Sequence, residues 1–379
     1  MRIALFTGNY NYVREGANQA LNRLVAWLEE HGHQVRVYSP VTDRPAFAPA
    51  GTLVPVPSIP LPVRSEFRFA LGLPRRIRQD VEAFAPDLVH VATPDLLGLR
   101  AQSLARRLGV PVLASYHTRF ESYLGHYGLG WARFALMAHL RRFYRRSDLV
   151  LAPNRASAGE IRALRGDDRV KIWGRGVDRA LFSPERRDLA WRRSQGWADK
   201  DIVILFFGRL VLEKGVDVFV ETLRRLSSSG IHVRALVVGA GPAVERFAPL
   251  PGATLAGHLD GPELARAVAS ADILLAPSLT ETFGNVMLEA MASGLAIVSA
   301  DVPSARNLIA PGSSGLLVPP DPASYAKAIT ALVRDTMKRQ RIGEAARAAS
   351  AAFSWDEASR SVEEAYEGLV SAGGRTERV

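Results

Sequence analysis

Short apolar runs of strand length recur along this sequence, each separated from the next by chain that can form a helix. They fall at residues 3–6, 34–38, 88–91, 112–115 and 149–152, and again at 203–207, 233–238, 273–276 and 296–298. Strands that read as continuous apolar runs are buried on both faces, and alternating them with helices predicts parallel sheets covered by helices. Two such series predict an α/β protein of two doubly wound, Rossmann-like domains. The glycine-rich WGRGVD at 173–178 interrupts the pattern and sets the expected join, with one domain over 1–175 and another over 176–354. A chain of 379 residues is too long for one ordinary core, which fits that division. Residues 355–379 remain, as a helix-patterned segment and a tail, GGRTERV, expected to fray.

In open sheets of this kind ligands bind beyond the carboxyl ends of the strands, and two such domains facing each other would leave a cleft. Residues at those ends include Gly16, His90, Thr93, His117, Asn154 and Arg155 in the first half. In the second half they include Gly208, Arg209, Glu213, Lys214, Gly239, Gly241 and Glu281. The stretch LTETFGNVMLEAMASGL, 279–295, sets Glu281 and Glu289 eight positions apart. On one helix that spacing is about 2.2 turns, so a single face does not hold both. Glu281 is therefore expected in a loop before a helix that begins near Gly284, with Glu289 one turn inside it. Free backbone amides near Gly284, Asn285 and Val286 then lie between two carboxylates.

Helix N-terminal amides with Arg209 and Lys214 upstream suit a diphosphate. Carboxylates cannot hold phosphate, so the glutamates are expected to read hydroxyls on either side of it, Glu289 those of a ribose and Glu281 those of a sugar. A molecule rich in hydroxyls at both ends with a diphosphate between is a nucleotide sugar. Singly, Glu289 reads equally as a solvated helix residue and Gly284 as a flexible helix start.

The phrases GRLVLEKGVD (208–217), GAGP (239–242) and SLTETFGNVMLEAMASG (278–294) resemble the C-terminal domain of the retaining glycosyltransferases of family 4, which have the two-domain GT-B fold. LVHVATP (88–94), SYHTRF (115–120) and GRGVDRALFSP (174–184) extend the resemblance over nearly the whole chain. They are similar to the branch with bacterial GDP-mannose-dependent α-mannosyltransferases and sulfoquinovosyltransferases. The resemblance implies that Arg209 and Lys214 bind the diphosphate and stabilise the leaving group, and that Glu289 binds the ribose. It implies that Glu281 holds O3 and O4 of the donor sugar, with Thr282, Phe283, Gly284, Asn285, Val286, Gly239 and Gly241 around the donor. His117 would reach the sugar from the opposite domain, and Gly16 would let the first loop approach phosphate. Ala17 stands where the family pattern often has Gly or Val and leaves backbone donation intact, and Ala296 stands where Pro is common, a change that affects packing more than chemistry. The reaction so implied retains the anomeric configuration, the acceptor hydroxyl attacking on the leaving-group face, and needs no metal or cofactor. The only Asp-x-Asp, Asp199 and Asp201, precedes a strand and reads as a surface turn.

Composition bears on partners. The chain carries net charge +10, and residues 1–175 hold 25 Lys+Arg against 14 Asp+Glu while 176–379 hold 23 against 24. Arginine clusters at 75–78, 106–107 and 141–146 suit an anionic membrane surface, or form solvated helix faces in an Arg-rich chain. No aromatic-interleaved module for nucleic acid is recognisable, and no nucleic-acid partner is expected. Segment 61–84 sets Phe67, Phe69, Leu71 and Leu73 beside Arg75, Arg76 and Arg78, which predicts docking on lipid, the alternative being a loop packed on the core. With no cysteine and a start, MRIALFTGNY, too short in apolar residues for a signal peptide, the expected location is cytoplasmic, peripheral on the inner membrane face.

The expected acceptor is a membrane lipid such as diacylglycerol, with a soluble or lipid-linked saccharide as the alternative. Arg155, Arg175 and Thr93 are candidate contacts to an acidic donor sugar, glucuronate or sulfoquinovose, or to the acceptor, while a neutral hexose needs neither arginine. GAGPAV lacks the third glycine of a dinucleotide fingerprint and reads as a tight turn. His31, His33, His126 and His139 read as ordinary surface or core histidines. A GT-B epimerase, a phosphorylase and a noncatalytic nucleotide-sugar sensor share the same cleft; the phosphorylase is disfavoured by the scarcity of lysine.

Overall fold

The structure, a computed structural model, describes residues 1–61, 66–117, 131, 133–248, 250 and 252–373. The chain divides into two compact units, Met1–Arg175 with Trp355–Val379, and Gly176–Ser354.

The first unit runs β1 (Arg2–Phe6), α1 (Gly16–Glu30), β2 (Gln34–Ser39), β3 (Thr52–Pro55), β4 (Ser58–Pro60), β5 (Arg68–Ala70), α2 (Arg75–Phe84) and β6 (Leu88–Val91). It continues with α3 (Leu96–Leu108), β7 (Val112–Ser115), α4 (Arg133–Arg145), β8 (Leu149–Ala152), α5 (Arg155–Arg165) and β9 (Val170–Ile172). Seven strands form one parallel sheet in the order β3-β2-β1-β6-β7-β8-β9, and β4 and β5 make a separate antiparallel hairpin. In register, Ile3 lies between Val35 of β2 and Leu88 of β6. Strands β6, β7 and β8 are buried at every position, as their unbroken apolar runs require. One face packs Phe6, Val89, Val91 and Ala114 against Val81 and Leu104; the other packs Ile3, Leu5, Leu88 and Leu113 against Leu24 and Leu28. Local chemistry ends the helices: Asp95 caps α3 by accepting the Gly98 N–H at 2.8 Å, and Gly109 stops it at φ +68°.

The second unit runs α6 (Leu189–Ser194), β10 (Val203–Phe207), α7 (Val216–Ser228), β11 (Arg234–Val238), β12 (Thr254–Gly257), α8 (Gly261–Ala269) and β13 (Ile273–Ala276). It ends with α9 (Asn285–Ala292), β14 (Ala296–Ala300), α10 (Pro303–Leu308), β15 (Leu316–Val318), α11 (Pro322–Arg334) and α12 (Thr336–Ser350). Its sheet is six-stranded and parallel in the order β12-β11-β10-β13-β14-β15. The last helix, α13 (Trp355–Gly373), packs Val362 and Tyr366 into the first unit's core beside Leu21 and Leu28. Among the described residues no helix is long and apolar enough to cross a membrane.

Each sheet reverses its strand order once, between β1 and β6 in the first unit and between β10 and β13 in the second. Loops leaving two neighbouring strands in opposite directions open a crevice at their carboxyl ends. The Asp199–Asp201 pair lies away from these points: Asp199 pairs with Arg193 at 2.5 Å and Asp201 with Arg234 at 2.8 Å, as a surface turn should.

Candidate active site

At the second unit's reversal, the loop after β10 carries Arg209 and Lys214, and the loop after β13 carries Glu281. The two loops are tied together. Ser278 Oγ and Thr280 Oγ1 lie 3.3 and 3.4 Å from the Glu213 carbonyl, and the Lys214 ammonium donates directly to Glu281 Oε1. Both partners of that ion pair are 28% exposed. Lys214, Glu281, Gly284 and Val286 line a cavity of about 40 Å³ with Ser278 and Ser299, which is water-sized.

Gly284 precedes α9 at φ +102°, a conformation that favours glycine, and leaves the helix start without a side-chain cap. The first-turn amides of Asn285, Val286 and Met287 therefore carry the positive end of the helix dipole toward the crevice. Glu289 is half-buried one turn further on. The Asn285 side-chain oxygen is buried with no hydrogen-bond partner among the described residues, a feature that its sequence position does not announce. Thus Glu281 lies in the loop and Glu289 in the helix, with the start of α9, uncapped by a side chain of Gly284, between them.

The structure alters the reading of other residues. Phe283 is only 4% exposed and packs edge-on to Phe353 at 6.0 Å, so its side chain belongs to the core. Gly239 and Gly241, at φ +142° and +156°, serve the packing of one loop on another. A Cβ at Gly239 would sit 1.8 Å from the Gly208 carbonyl oxygen, and one at Gly241 2.4 Å from that of Leu210. The Leu210 N–H donates to Ala240 O at 2.9 Å and the Ala243 N–H to Leu210 O at 2.9 Å, which is the tight turn expected of GAGP.

In the first unit Gly16 is the exposed first residue of α1 and not a loop residue, so it offers its backbone at a helix N-terminus. Thr93 is occupied internally: its hydroxyl accepts the Gly8 N–H at 2.8 Å and donates to Asp95 Oδ2 at 3.0 Å. Its one proton is therefore committed within the protein. Burial raises the Asp95 carboxyl above the usual range, while bonds from Gly98 and Thr93 oppose that rise. His90 lies in the core, bonded to Tyr366 Oη at 2.7 Å and Ser115 Oγ at 2.8 Å, and burial pushes its pKa down to about 3.

Arg175 is held largely by the protein itself. It is 5% exposed, its guanidinium lies 4.5 Å over the Trp173 ring, and Nη1 donates to the Trp173 and Gly174 carbonyls at 3.0 and 2.8 Å. Nη2 meets His117 Nδ1 at 2.9 Å. These bonds turn it inward and commit three of its five N–H groups to the protein itself; Trp173, the residue that seats it, stands in the sequence only as part of the WGRG join. Arg155 by contrast is exposed at the first position of α5, behind Asn154, whose side chain accepts the Ser157 N–H at 2.9 Å. His117 is half-buried at the end of β7, and burial with the adjoining guanidinium and His90 holds its imidazole well below the ordinary pKa.

Of the remaining histidines, His31 stacks on Trp27 at 3.7 Å, His33 pairs with Glu363 at 2.6 Å, and His139 bonds the Pro94 carbonyl at 2.6 Å. All three are structural. His126, residues 118–120 of the SYHTRF phrase and most of the tail lie outside the described residues.

Residues 14–181 match the profile described as Glycosyltransferase Family 4, and residues 201–335 that described as Glycosyl transferases group 1. The GDP-mannose-dependent alpha-mannosyltransferase of Mycolicibacterium smegmatis is 36% identical over 94% of this chain and 94% of its own. Sulfoquinovosyl transferase SQD2 of Arabidopsis thaliana is 30% identical over 93% of this chain and 71% of its own. Among solved structures, the sucrose-phosphate synthase of Thermosynechococcus elongatus superposes with a TM-score of 0.82 at 19% identity, covering 98% of this chain and 99% of that one. The two parallel Rossmann-like sheets and this likeness define the GT-B fold. The chain belongs to the family 4 glycosyltransferases, and its activity is glycosyl transfer from a nucleotide sugar.

Proposed function

We propose that this protein transfers a hexose from a nucleoside diphosphate sugar to a hydroxyl of a membrane lipid, with retention at the anomeric carbon. The observation that carries the reading is the reversal of the second sheet, where Lys214, Glu281 and the uncapped start of α9 converge. Arg209, Lys214 and the α9 amides would take the diphosphate, Glu289 the ribose, and Glu281 the sugar hydroxyls. Before donor arrives Lys214 is held by Glu281; the diphosphate competes for that ammonium and releases the carboxylate to the sugar. The acceptor oxygen then attacks C1 on the face from which the diphosphate departs. A new C1–O bond forms as the bond to the β-phosphate oxygen breaks, and the acceptor proton passes to a phosphate oxygen. Two cationic side chains and a helix N-terminus neutralise the leaving group, so this scheme asks for no metal ion and no cofactor.

GDP-mannose is the first donor to try, on the strength of the mannosyltransferase relative. A second reading, transfer of an acidic sugar from a UDP donor, draws on the sulfoquinovosyl relative and on Arg155, whose exposed guanidinium could meet an anionic sugar. For the acceptor, support comes from the surface. The β4–β5 hairpin exposes Ile59, Leu61, Phe69 and Leu71 next to the exposed Arg75 and Arg76 of α2, although residues 62–65 lie outside the described ones. On α4 and just beyond it, Phe134, Met137, Arg141, Arg142, Arg145 and Arg146 line a groove of about 690 Å³. Apolar and basic groups together favour an anionic lipid face, which would seat the enzyme peripherally on the inner membrane surface.

The test is release of nucleoside diphosphate from a panel of GDP- and UDP-sugars, neutral and acidic, with and without diacylglycerol-containing vesicles. Release from one donor, stimulated by the vesicles, supports the proposal. Release indifferent to lipid points to a soluble or lipid-linked saccharide acceptor, epimerised donor without release to an epimerase, and no turnover of any donor to a sensor. Vesicle binding undiminished by Arg75→Ser, Arg76→Ser and Arg78→Ser together would remove the hairpin and α2 from the docking surface.

A further inference from the structure

We propose that Arg175 is a positioning residue that fixes His117 as the neutral imidazole with its proton on Nε2, so that the ring presents a hydrogen-bond donor beyond the end of β7. The chemistry is that of a group that can only donate. A guanidinium has five N–H bonds and no acceptor, so at 2.9 Å from Arg175 Nη2 the His117 Nδ1 must offer its lone pair. In a neutral ring the single proton is then on Nε2.

The guanidinium cannot readily swing away. Its other nitrogen bonds two consecutive carbonyls, those of Trp173 and Gly174, and its plane rests on the indole of Trp173. The same indole meets the His117 ring edge-on at 5.1 Å and is anchored by its own backbone, the Trp173 N–H donating to Ala152 O at 2.8 Å. One indole thus sets the angle of both partners. No carboxylate lies within ion-pair distance of Arg175 among the described residues, so its positive charge stands uncompensated beside the ring and opposes a second positive charge there. Burial is the largest influence that holds the His117 pKa down, and among the described residues the titratable groups acting with it are Arg175 and His90, the latter neutral in the core. Burial lowers Arg175 itself only to about 9, which leaves it charged at neutral pH.

The consequence for transfer rests on the reading of His117 as a contact to the donor sugar. An ordinary histidine changes charge at a pKa of about 6.5 and can exchange its tautomer freely. Held by Arg175, His117 offers an invariant Nε2–H to a sugar oxygen and is excluded from acting as a general base through Nδ1.

The test begins with the wild-type protein and no donor: nitrogen NMR of the full chain labelled at histidine, with His117 assigned by its loss in His117→Gln. The expected spectrum shows a bare Nδ1 and a protonated Nε2, unchanged from pH 8 to roughly pH 5, well below the ordinary titration. A protonated Nδ1, or titration near the ordinary value, overturns the proposal. Kinetics then separate it from the functional reading. Arg175→Leu should lower kcat by about ten- to a hundredfold and add an acid limb to its pH profile, with Arg175→Lys restoring part of both because an ammonium can also donate to Nδ1. A flat profile in a folded Arg175→Leu also overturns it. If the tautomer is as expected but His117→Gln transfers sugar at the wild-type rate, the positioning stands and the assignment of His117 to the donor sugar fails.

Discussion

Replacing Lys214 by Met separates what its ammonium does for the fold from what it does for transfer. In the structure the ammonium is bonded to Glu281, and both side chains remain 28% exposed. Two unit charges about 4 Å apart attract by about 4 kcal/mol at an effective dielectric constant near 20, but most of that is offset by lost hydration and side-chain entropy. Partly exposed pairs contribute about 1 kcal/mol or less, so denaturant unfolding of Lys214→Met should show a loss of that size. On the proposed function, the same ammonium faces a departing diphosphate in the transition state, in a crevice with the α9 amides. Removing one donor from such a site costs about 3–4 kcal/mol, which is a fall of roughly 10²–10³ in kcat. The assay is nucleoside diphosphate release at saturating donor, beside an unfolding curve for the same preparation. The double variant Lys214→Met with Glu281→Gln should cost less than the sum of the single losses, because each single change also strands the other's partner. A Lys214→Met enzyme within about threefold of wild-type kcat refutes the assignment, and a stability loss of several kcal/mol would mean that the pair is a structural element.

Other changes address other parts of the argument. Gly239→Ala should destabilise the protein by about 3 kcal/mol or more, since its Cβ would meet the Gly208 carbonyl at 1.8 Å and its φ is +142°; a urea midpoint close to wild type would show that the two loops separate freely. Glu289→Ala should weaken binding of the nucleoside diphosphate by about ten- to a hundredfold in calorimetry, and unchanged affinity would return Glu289 to the solvated helix surface. Asp167 bonds the fully buried Arg165 at 2.8 Å and Arg169 at 2.9 Å, which holds its carboxyl well below the usual range. Its folded pKa is therefore depressed: the stability it contributes is complete above its unfolded value of about 3.9 and is lost as pH falls below that. Asp167→Asn should flatten the stability curve below about pH 4, and an unaltered slope there would exclude Asp167 as a source of acid sensitivity.

The sequence carried the strands whose burial is complete and lost those at the edges. Strands β6, β7, β8 and β10 announce themselves because a strand covered on both faces is predominantly apolar. The three- and four-residue β9, β12 and β15 each pair along one side only, or are exposed in part, and TLAG or VKI carries no period long enough to detect. The site was legible in the same uneven way. The placement of Glu281 and Glu289 follows from spacing alone, because a glycine between them can break the helix where a loop must end, and Gly284 does so at φ +102°. Which cation meets which acceptor does not follow from spacing.

Lys214 and Glu281 are 67 residues apart, and Arg175 and His117 are 58 apart, so only the strand order brings either pair together. In the string of letters both cations look equally free to meet an anionic ligand. Their surroundings divide them. Lys214 is a compact, strongly hydrated charge on a partly exposed loop, held by a carboxylate that a diphosphate can replace. Arg175 is a flat, weakly hydrated charge on an indole, with both terminal nitrogens bonded to groups of the protein itself. Three of its five N–H groups are already bonded to the protein and the residue is buried, so a phosphate or an acidic sugar gains less there than at the partly exposed Lys214. The same residue type that reads as a ligand-binding group from sequence is thereby directed inward, and its influence on the sugar, if exerted, passes through the tautomer of His117.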